Sequence, residues 1–222
     1  MAGCGCARIA KVVNVVRPGV SPPSVFPPPL RCSRPPHHQT TEQNSHKLPN
    51  KTATNYRTPL CVIEDMEAWC PNLRSKVQVR TTDTRYFTDP SIAVAALGIG
   101  PGSLMDDLKT FGYLFECLAI RDLRVYAAAN LGTVSHYRDA DGLECDAVVH
   151  LRDGSCGLIE VKLGGDRLVE EGAATVNKLA NKLDLSKTKK PKFKMVLTAI
   201  GKFAYRRKED DVVVCPLSAL RN

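Results

Sequence analysis

The chain has 222 residues and a formal net charge of +8, and 43% of its residues are hydrophobic and 6% aromatic. This length and composition are typical of one globular domain joined to a less apolar segment. They exclude a membrane-spanning protein, because charged residues interrupt every candidate for the roughly 20 consecutive apolar residues that a transmembrane helix needs.

The N-terminal tract differs in composition from the rest of the chain. Residues 1–60 contain eight basic residues and one acidic residue, whereas residues 61–222 are almost neutral, and nine of the 15 prolines precede residue 50. Proline removes backbone donors, and few large apolar side chains are present to offset the entropy of ordering. We therefore predict that residues 1–54 are a disordered, basic leader. A targeting peptide is the alternative, although Lys11 and Asn14 interrupt the apolar run that a secretory signal needs.

A linker is predicted between this leader and the folded part, over residues 55–88. Its segment CVIED, residues 61–65, indicates a short strand or the end of a helix. A loop then leads to an alternating segment around Val77 and Val79.

Two helices are predicted next. Asp89 and Pro90 form a strong helix start, with aspartate as the N-cap and proline at the first helical position, and this helix ends at Gly98. A second helix runs from about Ser103 to Asn130. Much of it is apolar on all sides, which is typical of a helix buried against a sheet.

Strands dominate the remaining sequence. Three β-branched, apolar segments are separated by Asp-Gly turns and predict an antiparallel meander: residues 133–137, 144–151 and 157–163. They are followed by a crossover helix from about Arg167 to Leu185, strands at 194–200 and 211–214, and a short terminal helix from Pro216. The order predicts an α/β or α+β domain over residues 89–222, with a mixed sheet of four to five strands flanked by helices.

The nine cysteines show no paired CxxC spacing and are odd in number. This argues against a zinc site, and those after residue 60 lie singly within apolar segments. We expect buried thiols in a reducing compartment.

Four side chains form the candidate site: Glu116, Asp146, Glu160 and Lys162. Glu160 and Lys162 are two apart on one strand, so they share a face at roughly 6 to 7 Å along the strand. Asp146 lies on the preceding strand. Glu116 is a lone acid in an apolar helix, where a carboxylate is costly unless it is paired, protonated or bound to metal.

The length of the intervening turn decides whether Asp146 meets Glu160. A two-residue Asp-Gly loop would point the two carboxylates away from each other. A three-residue loop, Arg152-Asp153-Gly154, with its glycine in the left-handed region, would pair Leu151 with Ser155. In that register Asp146 lies directly opposite Glu160.

Two facing carboxylates repel each other unless a cation lies between them, and oxygen-only ligands suit Mg²⁺ or Mn²⁺. The pattern therefore predicts metal ligands at Asp146 and Glu160, with Glu116 as a further ligand or as a group that orients water. Lys162 would stabilise the negative charge that develops on a phosphodiester. The alternative is structural, because an isolated Glu-x-Lys on a strand is usually a weak, solvated ion pair.

This ordered set resembles the PD-(D/E)XK, restriction-endonuclease-like superfamily. More narrowly, four segments resemble the C-terminal domain of prokaryotic AAA+ type ATP-binding proteins, known as domain of unknown function 4143, over about residues 56–222. The segments are DMEAWCPNLRSKVQVRTTDTRYFTDPSIAVAALG, FGYLFECLAIRDL, HYRDADGLECDAVVHL and GLIEVKLGG.

The resemblance implies a metal-dependent, nuclease-like core with Asp146, Glu160 and Lys162 as its motif and Glu116 as the helix carboxylate. Cys145 departs from the family pattern, which usually has an apolar residue there. The family's ATPase half carries a phosphate-binding loop, but this chain contains no GxxxxGK[ST] segment, so ATP binding is not expected. The resemblance further implies an ATPase partner and a cytoplasmic location.

Two functions follow as expectations. The first is a Mg²⁺-dependent phosphodiesterase that acts on DNA or RNA, and the second is a non-catalytic module that binds nucleic acid or a partner; a truncated product without independent activity is a third possibility. Low aromatic content argues against a base-stacking platform. A basic patch could contact phosphates, and it comprises Lys187, Lys189, Lys190, Lys192, Lys194, Arg206, Arg207 and Lys208.

Overall fold

The computed structural model describes residues 62–71, 82–186 and 188–220. The predicted leader and the alternating segment around Val77 and Val79 lie outside these residues. The first helix, α1 (Pro90–Leu97), confirms its prediction: the Asp89 side chain accepts a hydrogen bond from the Ser91 amide, and Gly98 ends the helix in the left-handed conformation.

The second predicted helix is divided in two, which corrects the prediction of one continuous helix. The two parts are α2 (Pro101–Asp106) and α3 (Leu108–Ala129), and Asp107 lies between them with non-helical backbone angles. The Asp107 carboxylate accepts from the amide of Thr110, so it caps α3. Aspartate competes with the backbone for such bonds, which explains the break within an otherwise apolar pattern.

A six-stranded mixed sheet forms the centre of the domain, in the order β3-β4-β5-β6-β8-β7. The prediction of four to five strands was too low because the two-residue edge strand β7 has no pattern of its own. The strands are β3 (Gly132–Arg138), β4 (Glu144–Leu151), β5 (Cys156–Lys162), β6 (Phe193–Thr198), β7 (Tyr205–Arg206) and β8 (Val213–Pro216).

The predicted meander and crossover are confirmed. Strands β3, β4 and β5 are antiparallel neighbours, whereas β6 lies parallel to β5 after the crossover helix α4 (Asp166–Lys182). Strand β8 lies parallel to β6, and a short 3₁₀ helix (Leu217–Ala219) follows it. The long crossover is what parallel pairing requires.

Of the two turns that the sequence allows between β4 and β5, the hairpin has the three-residue one. The Leu151 amide donates to the Ser155 carbonyl at 2.9 Å, and Gly154 has φ of 78°. The ladder continues to the pair Ala147 and Ile159, so Asp146 and Glu160 are the next positions in the same register.

Apolar cores cover both faces of this sheet. Helix α3 packs on one face and α4 on the other, and each buries side chains between itself and the strands. Of the six cysteines after residue 60, four are buried as predicted: Cys117, Cys145, Cys156 and Cys215. Cys70 is only partly buried, contrary to the prediction, and Cys61 lies outside the described residues.

A separate two-stranded sheet lies within the predicted linker. It pairs β1 (Ile63–Met66) with β2 (Thr84–Phe87) in antiparallel fashion. Met66 is only 1% exposed and joins the core on the α3 side. Among the described residues, no helix has the length and apolar character needed to cross a membrane.

Candidate functional site

A β-bulge positions Asp146. Strands β3 and β4 pair Ser135 with Val148 but Tyr137 with Cys145, so the register shifts by one residue at Asp146. A bulge of this kind redirects a side chain and locally ends regular pairing. The Asp146 carboxylate accepts a hydrogen bond from the Val161 amide at 2.7 Å, which holds it against strand β5.

Strand β5 supplies the other two members of the predicted motif. Glu160 is 3% exposed and lies two residues before Lys162, on the same side of the strand. The Lys162 ammonium is 2.6 Å from Glu160 Oε2 and 3.6 Å from Asp146 Oδ2. Asp146, Glu160 and Lys162 therefore meet at one end of neighbouring strands.

Glu116 reaches the same region from helix α3. Its Oε1 accepts a hydrogen bond from the Tyr86 hydroxyl at 2.6 Å, and both residues are partly buried. Asp146 and Lys162 both act electrostatically on Glu116. All four predicted residues thus belong to one cluster.

Burial and like charges shift the ionisation of this cluster. Burial and then the neighbouring Asp146 carboxylate raise the pKa of Glu160 to about 8, and the same two causes raise the pKa of Glu116. Burial disfavours the charged form of Lys162, but Asp146 and Glu160 outweigh it and raise the lysine pKa. Burial and Glu116 raise the pKa of the Tyr86 hydroxyl. Three acids here share one ammonium, so a second cation would relieve their repulsion.

The acids of this cluster offer only carboxylate oxygens, which are the ligands that a hard divalent ion prefers. Within residues 62–71, 82–186 and 188–220, no three His, Cys, Asp or Glu side chains form a ready metal-binding group. The Lys162 ammonium lies between Asp146 and Glu160 in this arrangement. Binding of a metal ion would therefore require Lys162 to move away from at least one of them.

Sequence reasoning missed Tyr86. It lies 30 residues before Glu116 on the short strand β2, and a single tyrosine on a strand gives no signal of a contact this distant. His136 was missed as well: it lies opposite the bulge, and its Nε2 is buried without a hydrogen-bond partner in the described part of the chain.

The predicted basic patch is largely paired with acids and carbonyls. Arg207 binds Glu170 and Asp210, and the Lys194 ammonium donates to the side chain of Asn177. The remaining pairings are Lys189 with the Asp153 carbonyl, Lys192 with the Asp153 carboxylate and Arg206 with Asp211. Lys187 lies outside the described residues.

Comparison with known proteins gives one similarity. No curated protein and no solved structure matches the chain. The model of a family described as Domain of unknown function (DUF4143) matches residues 111–220, which extend from α3 to the 3₁₀ helix and include all four members of the cluster. This part of the chain is therefore similar to that domain family.

Proposed function

We propose that the chain is a divalent-metal-dependent phosphodiesterase that cleaves nucleic acid. The observation that carries the proposal is the meeting of Asp146, Glu160 and Lys162 at the ends of two adjacent strands. Glu116, on α3, is near enough for the charges of Asp146 and Lys162 to act on it. The resemblance to PD-(D/E)XK proteins supports the same reaction, and the AAA+ resemblance supports an ATPase as partner.

Asp146 and Glu160 would hold Mg²⁺ or Mn²⁺, and Glu116 would orient a water molecule beside the ion. Such an ion polarises a phosphodiester and makes water more acidic. Glu160 must release its proton to serve as a ligand, and its raised pKa means that it does so most completely above pH 8 when no metal is present.

Lys162 stabilises negative charge on the phosphate. Its side chain is 25% exposed, so a substrate oxygen can approach the ammonium once metal binding has separated Lys162 from at least one of its two carboxylate partners. A fixed cation in a partly buried site stabilises developing charge more strongly than one in water does.

Glu116 accepts a proton from the attacking water. Tyr86 occupies its Oε1, which leaves Oε2 to receive the proton. The raised pKa of Glu116 moves this acid toward neutral pH, where a general base is most effective.

A cleavage assay tests the proposal. Purified protein is incubated with supercoiled plasmid and with short oligonucleotides, in Mg²⁺, in Mn²⁺ and in EDTA. We expect metal-dependent cleavage that falls by about 100-fold or more in Lys162→Ala and in Asp146→Ala. Lys178→Ala, at an exposed position on α4, is the matched control and should retain activity. Absence of cleavage, or cleavage that the Asp146 and Lys162 changes leave intact, contradicts the proposal.

A non-catalytic binding module is the second candidate. It is favoured by the direct contact between Lys162 and Glu160, which satisfies both charges without a metal ion. This function predicts nucleic-acid binding without turnover and a thermal stability that does not respond to Mg²⁺.

A further inference from the structure

Exposed aromatic and apolar side chains are concentrated in the loop between β6 and β8, residues 199–208, which includes β7. Ile200 is 67% exposed, Phe203 is 70% exposed and Tyr205 is 46% exposed. Three large, exposed apolar side chains within six consecutive residues form a patch, and exposed apolar patches of this kind mark binding surfaces.

This β6–β8 loop is attached to the end of the strand that carries Glu160 and Lys162. The Ala199 amide donates to the Lys162 carbonyl, and the Ile200 amide donates to the Leu163 carbonyl, both at 3.3 Å. Gly164 lets the loop approach closely, because a Cβ there would lie 2.4 Å from Ile200 Cγ1. The loop therefore begins directly beside the candidate site.

The loop is also held in shape at its next residue. Gly201 has φ of 152°, and a Cβ on it would lie 2.6 Å from the Pro216 ring. Only glycine fits this conformation against β8. The exposed side chains are thus presented from a fixed backbone, which lowers the entropic cost of binding a ligand.

Cations alternate with the aromatic residues along the loop. Lys202 and Lys208 are exposed and form no ion pair with the described residues, whereas Arg206 pairs with Asp211 across the edge of the sheet. Ammonium groups next to exposed aromatic rings complement a ligand that carries both phosphates and unstacked bases.

We infer that the β6–β8 loop binds a single-stranded segment of nucleic acid, with bases stacked on Phe203 and Tyr205 and phosphates on Lys202 and Lys208. Bases in a duplex are stacked on one another and cannot reach these rings, so the loop selects single strands. The low overall aromatic content argued against such a platform, but two of the exposed aromatic side chains of the described residues, Phe203 and Tyr205, lie together here. The inference rests on the proposed function only in that the bound strand leads toward Lys162.

Fluorescence anisotropy tests the stacking. The probe is a labelled single-stranded DNA of about 16 nucleotides, the upper range of sites on single-strand-binding folds, and EDTA is present so that cleavage does not interfere. We expect Phe203→Ala to weaken binding about tenfold or more. Phe203→Leu should also weaken it, because leucine keeps an apolar surface but offers no ring. Leu97→Ala, which shortens a 59% exposed side chain on α1, is the control and should bind as the unchanged protein does.

The salt dependence tests the phosphate contact. Lys202→Ala should lower the slope of log affinity against log salt by about 0.7, the value for one phosphate contact on a single strand. Lys178→Ala on α4 should leave that slope unchanged.

Three outcomes would overturn the inference: equal affinity of Phe203→Ala and the unchanged protein, unaltered binding by Phe203→Leu, or tighter binding of a duplex of the same sequence. Its failure is separable from failure of the proposed function. If binding depends on Phe203 but no cleavage occurs in Mg²⁺, only the proposal of a phosphodiesterase is wrong. If Asp146→Ala abolishes cleavage but Phe203→Ala leaves it unaffected, only the inferred binding site is wrong.

Discussion

Tyr86 links the small β1–β2 sheet to the candidate site through a single hydroxyl. Its hydrogen bond to Glu116 favours the ionised carboxylate, and it therefore opposes burial and the Asp146 charge, which both raise the Glu116 pKa. Hydrogen bonds to a charged form stabilise that form. Tyr86 thus orients the Glu116 carboxylate and offsets part of the rise in its pKa.

Removal of this hydroxyl should raise the Glu116 pKa further. We expect Tyr86→Phe to keep the ring packing and to shift the Glu116 titration to higher pH, as measured by carboxyl ¹³C NMR on the metal-free protein. If the protein is a phosphodiesterase, the acidic limb of its rate profile should move in the same direction. Tyr113→Phe changes an exposed tyrosine on α3, the helix that carries Glu116, and should leave the Glu116 titration unchanged. An unaltered Glu116 pKa in Tyr86→Phe would show that the hydroxyl has no such role.

The hairpin between β4 and β5 fixes the register on which the candidate site depends. Gly154 has φ of 78°, and the Asp153 carboxylate accepts hydrogen bonds from the amide and hydroxyl of Ser155. These bonds lower the pKa of Asp153 to about 2. A shift of one residue in this turn would turn Asp146 to the other side of the sheet.

A side chain at Gly154 should therefore weaken the whole hairpin. We expect Gly154→Ala to lower the free energy of unfolding by about 1 kcal/mol, because alanine is unfavourable in the left-handed region. Gly112→Ala, in the second turn of α3 where an added Cβ would meet nothing within 4 Å, is a control of opposite sign and should stabilise the protein by roughly 0.5–1 kcal/mol. Urea unfolding measures both. A Gly154→Ala protein as stable as the unchanged one would contradict the assigned turn.

Local chemistry explains which elements the sequence could predict. The turn at Gly154, the cap at Asp89 and the meander were predictable because their signals lie within a few neighbouring residues. Strand pairing between residues that are far apart in the sequence leaves no such local signal, so strand β2 and the two-residue strand β7 were missed. The bulge at Asp146 was missed for the same reason, since it depends on how β3 pairs with β4. The cluster of Asp146, Glu160 and Lys162 was found because the register of one hairpin determines it.

The candidate site includes residues near both faces of the sheet, which α3 and α4 cover. Glu116 belongs to α3 on one face, whereas Glu160 lies near α4 on the other, where a Cβ on Gly172 would be 3.4 Å from Glu160 Cβ. The bulge at Asp146 brings these two sides together at the strand ends. Changes in ionisation at this cluster therefore affect the contact between both helices and the sheet.

The stability of the whole domain should consequently depend on pH and on Mg²⁺ together. The raised pKa of Glu160, about 8, means that the folded protein keeps a proton that the unfolded chain loses near its usual value of 4.5. Stability of the metal-free protein should thus fall as pH rises from about 4.5 to 8.

Mg²⁺ competes with that proton for Glu160, so the stabilisation by Mg²⁺ should grow over the same pH interval. At 100 times its dissociation constant Mg²⁺ adds about 2.7 kcal/mol, or roughly 5–10 °C in Tm for a domain of this size. Calorimetry at pH 6 and pH 8 measures this. Glu160→Gln should reduce the pH dependence, leaving the part that the raised pKa of Glu116 causes, and should remove most of the Mg²⁺ effect, whereas Glu171→Gln, an exposed acid on α4, should keep both. A Tm that Mg²⁺ leaves unchanged at pH 8 would mean that Asp146 and Glu160 do not form a metal site and that Lys162 alone balances their charge.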